Sequence, residues 1–560
     1  MPTRRDFLSV TGAALAGGAL AACRTTGGGA PPAGEGGAPS ARATTGRADL
    51  VIRGGTVIDG TGSPGREWDV AITGGRITAL GPRLRVTGAE ELDARGLAVA
   101  PGFVDIHSHA NGSMFADPAM ESIVRQGITT VVVGQDGGSP GGDASAGVED
   151  QGGTIAAFLA RVEREPVAAN VATMVGLGSV RGAVVGADDR PATSDELGRM
   201  VLMVEQALDA GACGASSGLE YTPGAFASRD ELVALCRPLR ARGLAYATHM
   251  RNEDDRLLDA IAESIAVAEG AGCRLQVSHL KTQGPRNWGR LDDAFGVIEA
   301  AAGRGLDVAF DRYPYVAYQT GLTSLFPVWS RDGGTAAFLA RLDDDATASR
   351  IRTEVLAKVE LIGGWDNVQV TSVSDDADRA AEGKRLGAYA SSVGEDPYAV
   401  TVGLLRRSRG GVGMVGFAMS EENLERILAH PRGMVCSDGG SYAAEGPARR
   451  GVPHPRALGS FPRVLARYVR ERRALTLEQA VHKMTAQPAG RLRLADRGRI
   501  AVGLAGDVVV FDPATVADRA TFEDPYQYPV GIAAVVVNGA PALQDGLRTS
   551  ARPGRVARPG

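Results

Sequence analysis

Between residues 101 and 494 the chain alternates short apolar runs with longer helix-like stretches, and that rhythm restricts the fold more than any other feature. The runs are "GFVDIHSH", "GITTVVVGQD", "NVATMVG", "GACGASSGLEY", "LAYATHM", "RLQVSHL", "DVAFDRYPY" and "GMVCSDGG". Stretches between them, such as "SRDELVALCRPLRARG" and "DAIAESIAVAEGAG", space their apolar residues as helices do and end on glycine. Eight strands with intervening helices predict an α/β fold, a (β/α)8 TIM barrel with its chemistry at the C-terminal strand ends.

Short β-rich runs flank this region. "DLVIRGGTVIDGTG" and "DVAITGGRITALG" precede it, and "RGRIAVGLAGDVVVFDP" and "GIAAVVVNGAPAL" follow it. They predict one small β domain built from both chain ends, residues 48–100 and 495–560, around a barrel at 101–494. Between the seventh and eighth strands lies a segment from about 328 to 425 that contains "TAAFLARLDDDATASRIRTEVLAKV". It is too long for a loop and too helical for a linker, so it reads as an insertion over the barrel mouth.

The first 23 residues read as an address. Arg4 and Arg5 precede Phe7 and Leu8, and a weakly apolar stretch ends in "LAAC" at Cys23. The pattern resembles a twin-arginine export signal whose final cysteine is a lipid-attachment site. It predicts a periplasmic or cell-surface protein touching a membrane only through a lipid anchor. Residues 24–47, rich in Gly, Pro, Ala and Ser, read as a flexible linker.

A net charge of −5 and the lack of a dense basic stretch argue against nucleic acid as a partner. Cys213, Cys236, Cys273 and Cys436 lack zinc-type spacing and read as buried free thiols.

The chain has only seven histidines, and two of them, His107 and His109, stand one residue apart at the end of the first run. On a strand they share a face, with Asp105 behind them. His249 ends the fifth run, His279 the sixth, and Asp438 stands in the eighth. Strand ends of a barrel converge, so four imidazoles and a carboxylate meet at its mouth, a donor set that suits zinc or a similar divalent metal. One metal ion is expected, or two if a further carboxylate bridges them. His430 and His482 lie in proline-flanked and helical contexts and read as structural, and His454 reads as helping to shape the pocket through its neighbour Arg456.

Taken in order, "PGFVDIHSH", "SSGLEYTPGAFA", "THMRNE", "SHLK", "DRYPY", "SDGG", "HPRALGSFPRVLARYVRE", "KMTAQPAGRL" and "GLAGDVVVFDP" resemble the N-acyl-D-amino-acid deacylase family of the amidohydrolase superfamily. The resemblance runs from about residue 48 to the C-terminus. It implies a metal-dependent hydrolase of non-peptide C–N amide bonds whose small-molecule substrate is an N-acyl-D-amino acid. By the same resemblance His249 and His279 hold the tighter metal, and His107 and His109 the second. Asp438 is then the general base, and Lys281 and Arg456 bind the substrate's α-carboxylate, with a hydroxyl from Tyr315 or Tyr313.

The chain departs from the family pattern in places. Where D-aminoacylases carry a metal-binding cysteine, "GQDGGS" puts Asp136; the superfamily more often bridges its metals from the fourth strand, where this chain has Glu220. Sequence alone leaves Asp136 and Glu220 as alternative ligands. Leu177 in "GLG" and the sequence "HSHAN" also differ from the family, which leaves two other readings open. One is hydrolysis of a cyclic amide or another acyl substrate at the same site. The other is a catalytically inactive binding lipoprotein.

Overall fold

Each of the eight runs forms a strand in the computed structural model, which describes residues 46–140 and 154–560. They are β1 (Phe103–Asp105), β2 (Ile128–Val133), β3 (Asn170–Thr173), β4 (Gly214–Gly218), β5 (Ala245–His249), β6 (Arg274–Val277), β7 (Val308–Arg312) and β8 (Gly433–Val435). β1, β2 and β3 are parallel neighbours. Val175–Gly176 continues β3 and pairs with β4, from which β5 to β8 follow in sequence. Hydrogen bonds close the circle between β8 and β1. The Asp438 N–H donates to the His107 carbonyl and the His109 N–H to the Gly439 carbonyl. The Ser437 N–H and hydroxyl both donate to the Asp105 carboxylate.

The local chemistry accounts for these elements. All six residues of β2 are buried, as a parallel strand covered on both faces requires. Ser228 caps the helix Arg229–Arg242, and Gly243 ends it in the left-handed conformation. Thr193 and Glu196 form a capping box on the helix Ser194–Asp209. Cys213, Cys236, Cys273 and Cys436 are buried free thiols.

Both chain ends contribute to one nine-stranded sheet. Its central pairing is antiparallel, between Ala98–Pro101 and Val508–Phe511. Leu50–Val57, Arg66–Thr73 and Arg76–Gly81 extend it on one side, with Glu90–Asp93 also against Leu50–Val57. Ile532–Val537, Ala540–Gln544 and Leu547–Arg548 extend it on the other. The expected boundary at 560 is too generous. The tail leaves the sheet and lies along β3, where the Val171 N–H donates to the Arg555 carbonyl and the Ala557 N–H to the Val171 carbonyl.

The insertion is also bounded differently from the expected 328–425. It opens with the strand Ala317–Gly321, which pairs antiparallel with Val412–Phe417; that central strand also pairs with Val368–Val373. Between these strands stand the helices Gly334–Arg341, Asp345–Leu361, Leu386–Val393 and Pro397–Arg407. The helix Glu421–Ala429 packs on β7 and β8 and belongs to the barrel.

The signal at 1–23, with Cys23, and residues 24–45 of the linker lie outside the described residues. Gly46 and Arg47 pair in parallel with Val86 and Thr87 and so belong to the folded chain rather than to the linker. No described helix is long and apolar enough to cross a membrane.

Candidate metal centre

β1 ends at Asp105, so His107 and His109 stand in the turn beyond it rather than on the strand itself. Their rings lie 5.4 Å apart. Asp136 follows β2, Glu220 follows β4, His249 ends β5, His279 follows β6 and Asp438 follows β8. All but His107 line one cavity of about 900 Å³ at the barrel mouth, and His107 lies buried at its floor against Asp136 and Asp438. Asp136, His279 and Asp438 have φ of 53°, 34° and 49°. A left-handed backbone at a non-glycine residue costs about 1–3 kcal/mol and gathers at functional sites. Three such residues in one cavity fit that pattern.

Asp136 occupies the middle of the group. Its Oδ1 is 3.4 Å from His107 Nε2 and 3.6 Å from His279 Nε2, and its Oδ2 is 3.4 Å from His109 Nε2. Asp438 Oδ1 is 3.5 Å from His107 Nε2 and 3.1 Å from His109 Nε2. His249 Nδ1 lies 3.1 Å from His279 Nε2. Glu220 stands at the edge, with Oε2 3.1 Å from His249 Nε2.

These residues fit a metal. His107, His109, Asp136 and Asp438 each offer a ligand atom within 4.8 Å of the others, and Asp136, His249 and His279 form a second such group. Two donors each about 2.1 Å from one tetrahedral ion stand ~3.4 Å apart, close to the separations above. Both ring nitrogens of His107 and Oδ1 of Asp136 are buried without a hydrogen-bond partner. Such orphaned atoms are what a site built around a cation leaves when the protein alone is considered.

The electrostatics follow from burial and close opposite charge. Burial disfavours charged His109, but Asp136 and Asp438 outweigh it and lift the imidazole to about 9. His107 and His249 are raised against the same burial penalty, His107 by Asp136 and Asp438, His249 by Glu253 and Glu220. Burial works against the carboxylates of Asp136 and Asp438 as well. The imidazoles hold Asp136 well below the usual range, and Arg456 with His107 does the same for Asp438.

Lys281 and Arg456 line the cavity, already engaged. Lys281 Nζ is 2.5 Å from Glu253 Oε1 and 2.7 Å from His279 Nδ1. Arg456 Nη1 donates to Asp438 Oδ2 at 2.6 Å. Tyr313 lines the cavity with its hydroxyl buried and unpartnered. Tyr315, expected as its alternative, lies elsewhere, with its hydroxyl 3.4 Å from Asp518 Oδ2. The cause is local. The Tyr315 N–H donates to the Tyr313 carbonyl across Pro314, and this tight turn carries the second tyrosine out of the cavity.

Two acids that sequence reasoning passed over support the histidines from behind. Glu253 Oε1 is 3.0 Å from His279 Nδ1, and Asp311 Oδ1 is 3.6 Å from His107 Nδ1. A carboxylate on the far nitrogen fixes the ring that faces a metal, as Glu253 does for His279, while Asp311 stands beyond hydrogen-bond distance of His107. Glu253 was legible only as the last residue of "THMRNE", in a charged loop. The other histidines serve structure: His454 Nε2 lies 2.9 Å from the Ala317 carbonyl, and His482 Nδ1 lies 2.8 Å from that of Gly60.

Comparison with known proteins agrees with this geometry. A model of the amidohydrolase family matches residues 90–392 and 437–542. An N-acyl-D-aspartate deacylase of Alcaligenes xylosoxydans xylosoxydans is 37% identical over 527 residues, 92% of this chain and 96% of the relative. The crystal structure of N-acyl-D-glutamate deacylase from Bordetella bronchiseptica, complexed with zinc and a phosphonate inhibitor, superposes with a TM-score of 0.76. It is 36% identical, and the match covers 91% of this chain and 100% of that one. A D-aminoacylase structure described for its binuclear metal centre gives a TM-score of 0.77 at 35% identity, with the same coverage. The chain belongs to the amidohydrolase family, in its N-acyl-D-amino-acid deacylase group.

Proposed function

We propose that this chain hydrolyses the amide of N-acyl-D-amino acids with zinc, releasing a carboxylic acid and a free D-amino acid. The observation that carries the reading is the convergence of four imidazoles with Asp136 and Asp438, in a cavity that also holds Lys281 and Arg456. His107, His109 and Asp136 would hold one ion with Asp438 beside it, and Asp136, His249 and His279 a second, with Asp136 shared between them. Among the four imidazoles Glu220 pairs only with His249, and it is not needed as a ligand in this reading. Bound there, zinc lowers the pKa of water and polarises a carbonyl.

The chain's own residues supply the rest. Asp438 Oδ1 faces the metal cluster while Arg456 holds Oδ2, so one oxygen remains to accept the proton of the attacking water. The same carboxylic acid then returns the proton to the departing amine nitrogen. Lys281 retains donor capacity beside Glu253, and Arg456 Nε has no partner, so both can grip the substrate's α-carboxylate. The Tyr313 hydroxyl adds a donor at the same end.

The test is metal content by elemental analysis and amine release from a panel of N-acetyl- and N-formyl-D- and L-amino acids, on protein lacking its first 23 residues. Bound zinc with D-selective release is the expected result. Bound zinc without release from any member would overturn the substrate and turn the search to cyclic amides. Neither zinc nor release would favour a binding protein.

The same proposal extends to location, on the support of Arg4, Arg5 and the "LAAC" sequence. The full chain is exported by the twin-arginine route and held at a membrane by lipid on Cys23. Cys23→Ala should move the full-length protein from the membrane to the soluble fraction, and an unchanged distribution would sink the anchor.

A further inference from the structure

Arg181, Arg491 and Arg497 are buried against carboxylates, those of Glu231, Asp307 and Asp507. Arg312 is only 1% exposed and, among the described residues, has no carboxylate within 4.0 Å. Its Nη2 donates to the Tyr315 carbonyl at 2.8 Å, and its Nε and Nη1 are buried with no hydrogen-bond partner. A guanidinium buried without an anion is costly, so its remaining contacts have to offset that cost.

Arg312 ends β7, one residue after Asp311, and side chains alternate along a strand. Asp311 turns to the metal side, where it accepts from the His279 N–H at 2.8 Å. Arg312 turns the other way and lies against Tyr313, its guanidinium carbon 4.1 Å from the centre of that ring. The guanidinium of Arg456 stands over the same ring at 4.6 Å. Arg312 therefore grips the Tyr313–Tyr315 turn twice, by its first ring and by its last carbonyl. Arg463 donates to the Pro314 carbonyl between them, but it is paired with Asp518 and makes its ring contact with Tyr315. A cation is attracted to an aromatic face, more strongly out of water. By drawing electron density from the ring it also makes the phenol O–H a better donor. That hydroxyl is what the turn delivers to the cavity.

We infer that Arg312 is a positioning residue for substrate binding: fastened to both ends of the Tyr313–Tyr315 turn, it holds the Tyr313 hydroxyl on the substrate's α-carboxylate without touching the substrate itself. The inference rests on the deacylase reading, in which Tyr313 shares that carboxylate with Lys281 and Arg456. Arg312 does not line the cavity, so its effect has to pass through Tyr313. Lysine would keep a charge at this place but not the planar fork that serves ring and carbonyl together.

The zinc-loaded wild type is compared with Arg312→Met and Arg312→Lys, each made both alone and together with Tyr313→Phe. The readout is kcat/KM on the best N-acetyl-D-amino acid of the panel against the α-amide of the same compound, which replaces the carboxylate by a neutral group. Arg312→Met should lower the carboxylate-over-amide ratio about tenfold, through KM rather than kcat, and Arg312→Lys should lower it less. In the Tyr313→Phe background neither substitution should lower it further. An unchanged ratio in the folded Arg312 variants, or an equal fall in both backgrounds, overturns the assignment. If Arg312→Met does not fold, Arg312→Lys decides by the same criterion. If no amide of the panel is cleaved, the deacylase reading has failed, and calorimetric titration with D-leucine against D-leucinamide decides in its place. A carboxylate preference lost in the Arg312 variants keeps the positioning role, and one that is absent or unchanged overturns it.

Discussion

Arg456 Nη1 holds Asp438 Oδ2 at 2.6 Å, while the other oxygen of the same carboxylate, Oδ1, stands 3.1 Å from His109 Nε2. The guanidinium thus fixes the plane of the carboxylate and leaves one oxygen for chemistry. Asp438→Asn keeps the shape and an acceptor oxygen but cannot take up a proton. It should lower kcat by about 10³-fold, with bound zinc retained on elemental analysis. Activity within a few-fold of the parent would remove Asp438 from its role as base.

Asp136 stands 3.4–3.6 Å from three of the four imidazoles. Asp136→Ala should retain less zinc than the parent after dialysis. Asp136→Cys loaded with cobalt(II) should show a thiolate-to-metal absorption band that the parent lacks, because a ligand position exchanges an oxygen donor for sulfur. A band-free spectrum from folded, cobalt-bearing protein would show that Asp136 is not a ligand.

The buried pair Lys281–Glu253 underlies His279. Glu253→Gln strands a buried ammonium and should destabilise the fold by about 3 kcal/mol, since removing one partner of a buried pair costs more than replacing both. The double variant Glu253→Gln, Lys281→Met should therefore recover part of the loss in denaturant unfolding. A double variant no more stable than Glu253→Gln alone would contradict this.

On the surface, Glu196 accepts from Arg190 and from the Thr193 N–H at the start of the helix Ser194–Asp209. The hydrogen bond from Arg190, then that from Thr193, brings its carboxyl down from 4.5 to about 2. A folded value below the unfolded one stabilises above the unfolded value, and this is lost as pH falls through the folded value. The first-turn amides of this helix should exchange faster as pH falls from 4.5 towards 2, beyond the intrinsic pH dependence. Glu196→Gln should remove that extra change, and an identical profile in the variant would refute it.

The barrel was legible because parallel strands buried on both faces leave continuous apolar runs, and the ligands stood at the ends of those runs. His249 and His279 could be placed from "YATHM" and "QVSHL" for that reason. The limits of the insertion were not legible. Ala317–Gly321, "AYQTG", carries no strong strand signal, and its partner Val412–Phe417 lies far along the chain. Tyr313 and Tyr315 looked interchangeable because a tight turn, not residue type, decides which of them enters the cavity. Glu253 sits in a charged segment where a solvated side chain is the ordinary reading, and only burial set it apart. Asp136 and Glu220 were separated by position alone, one at the centre of the imidazoles and one at their edge.

The pairing of Ala98–Pro101 with Val508–Phe511 also sets a timetable. A ribosome delivers the chain from its N-terminus, so the strand that leads directly into β1 waits for its antiparallel neighbour until nearly the whole protein has been made. The His107–His109 turn waits too, because its backbone is fixed by Asp438 and Gly439. Residues as far apart in the chain as His107 and Asp438 meet in one cluster. A product truncated before residue 508 carries His107 and His109 without the strand that pairs with Ala98–Pro101.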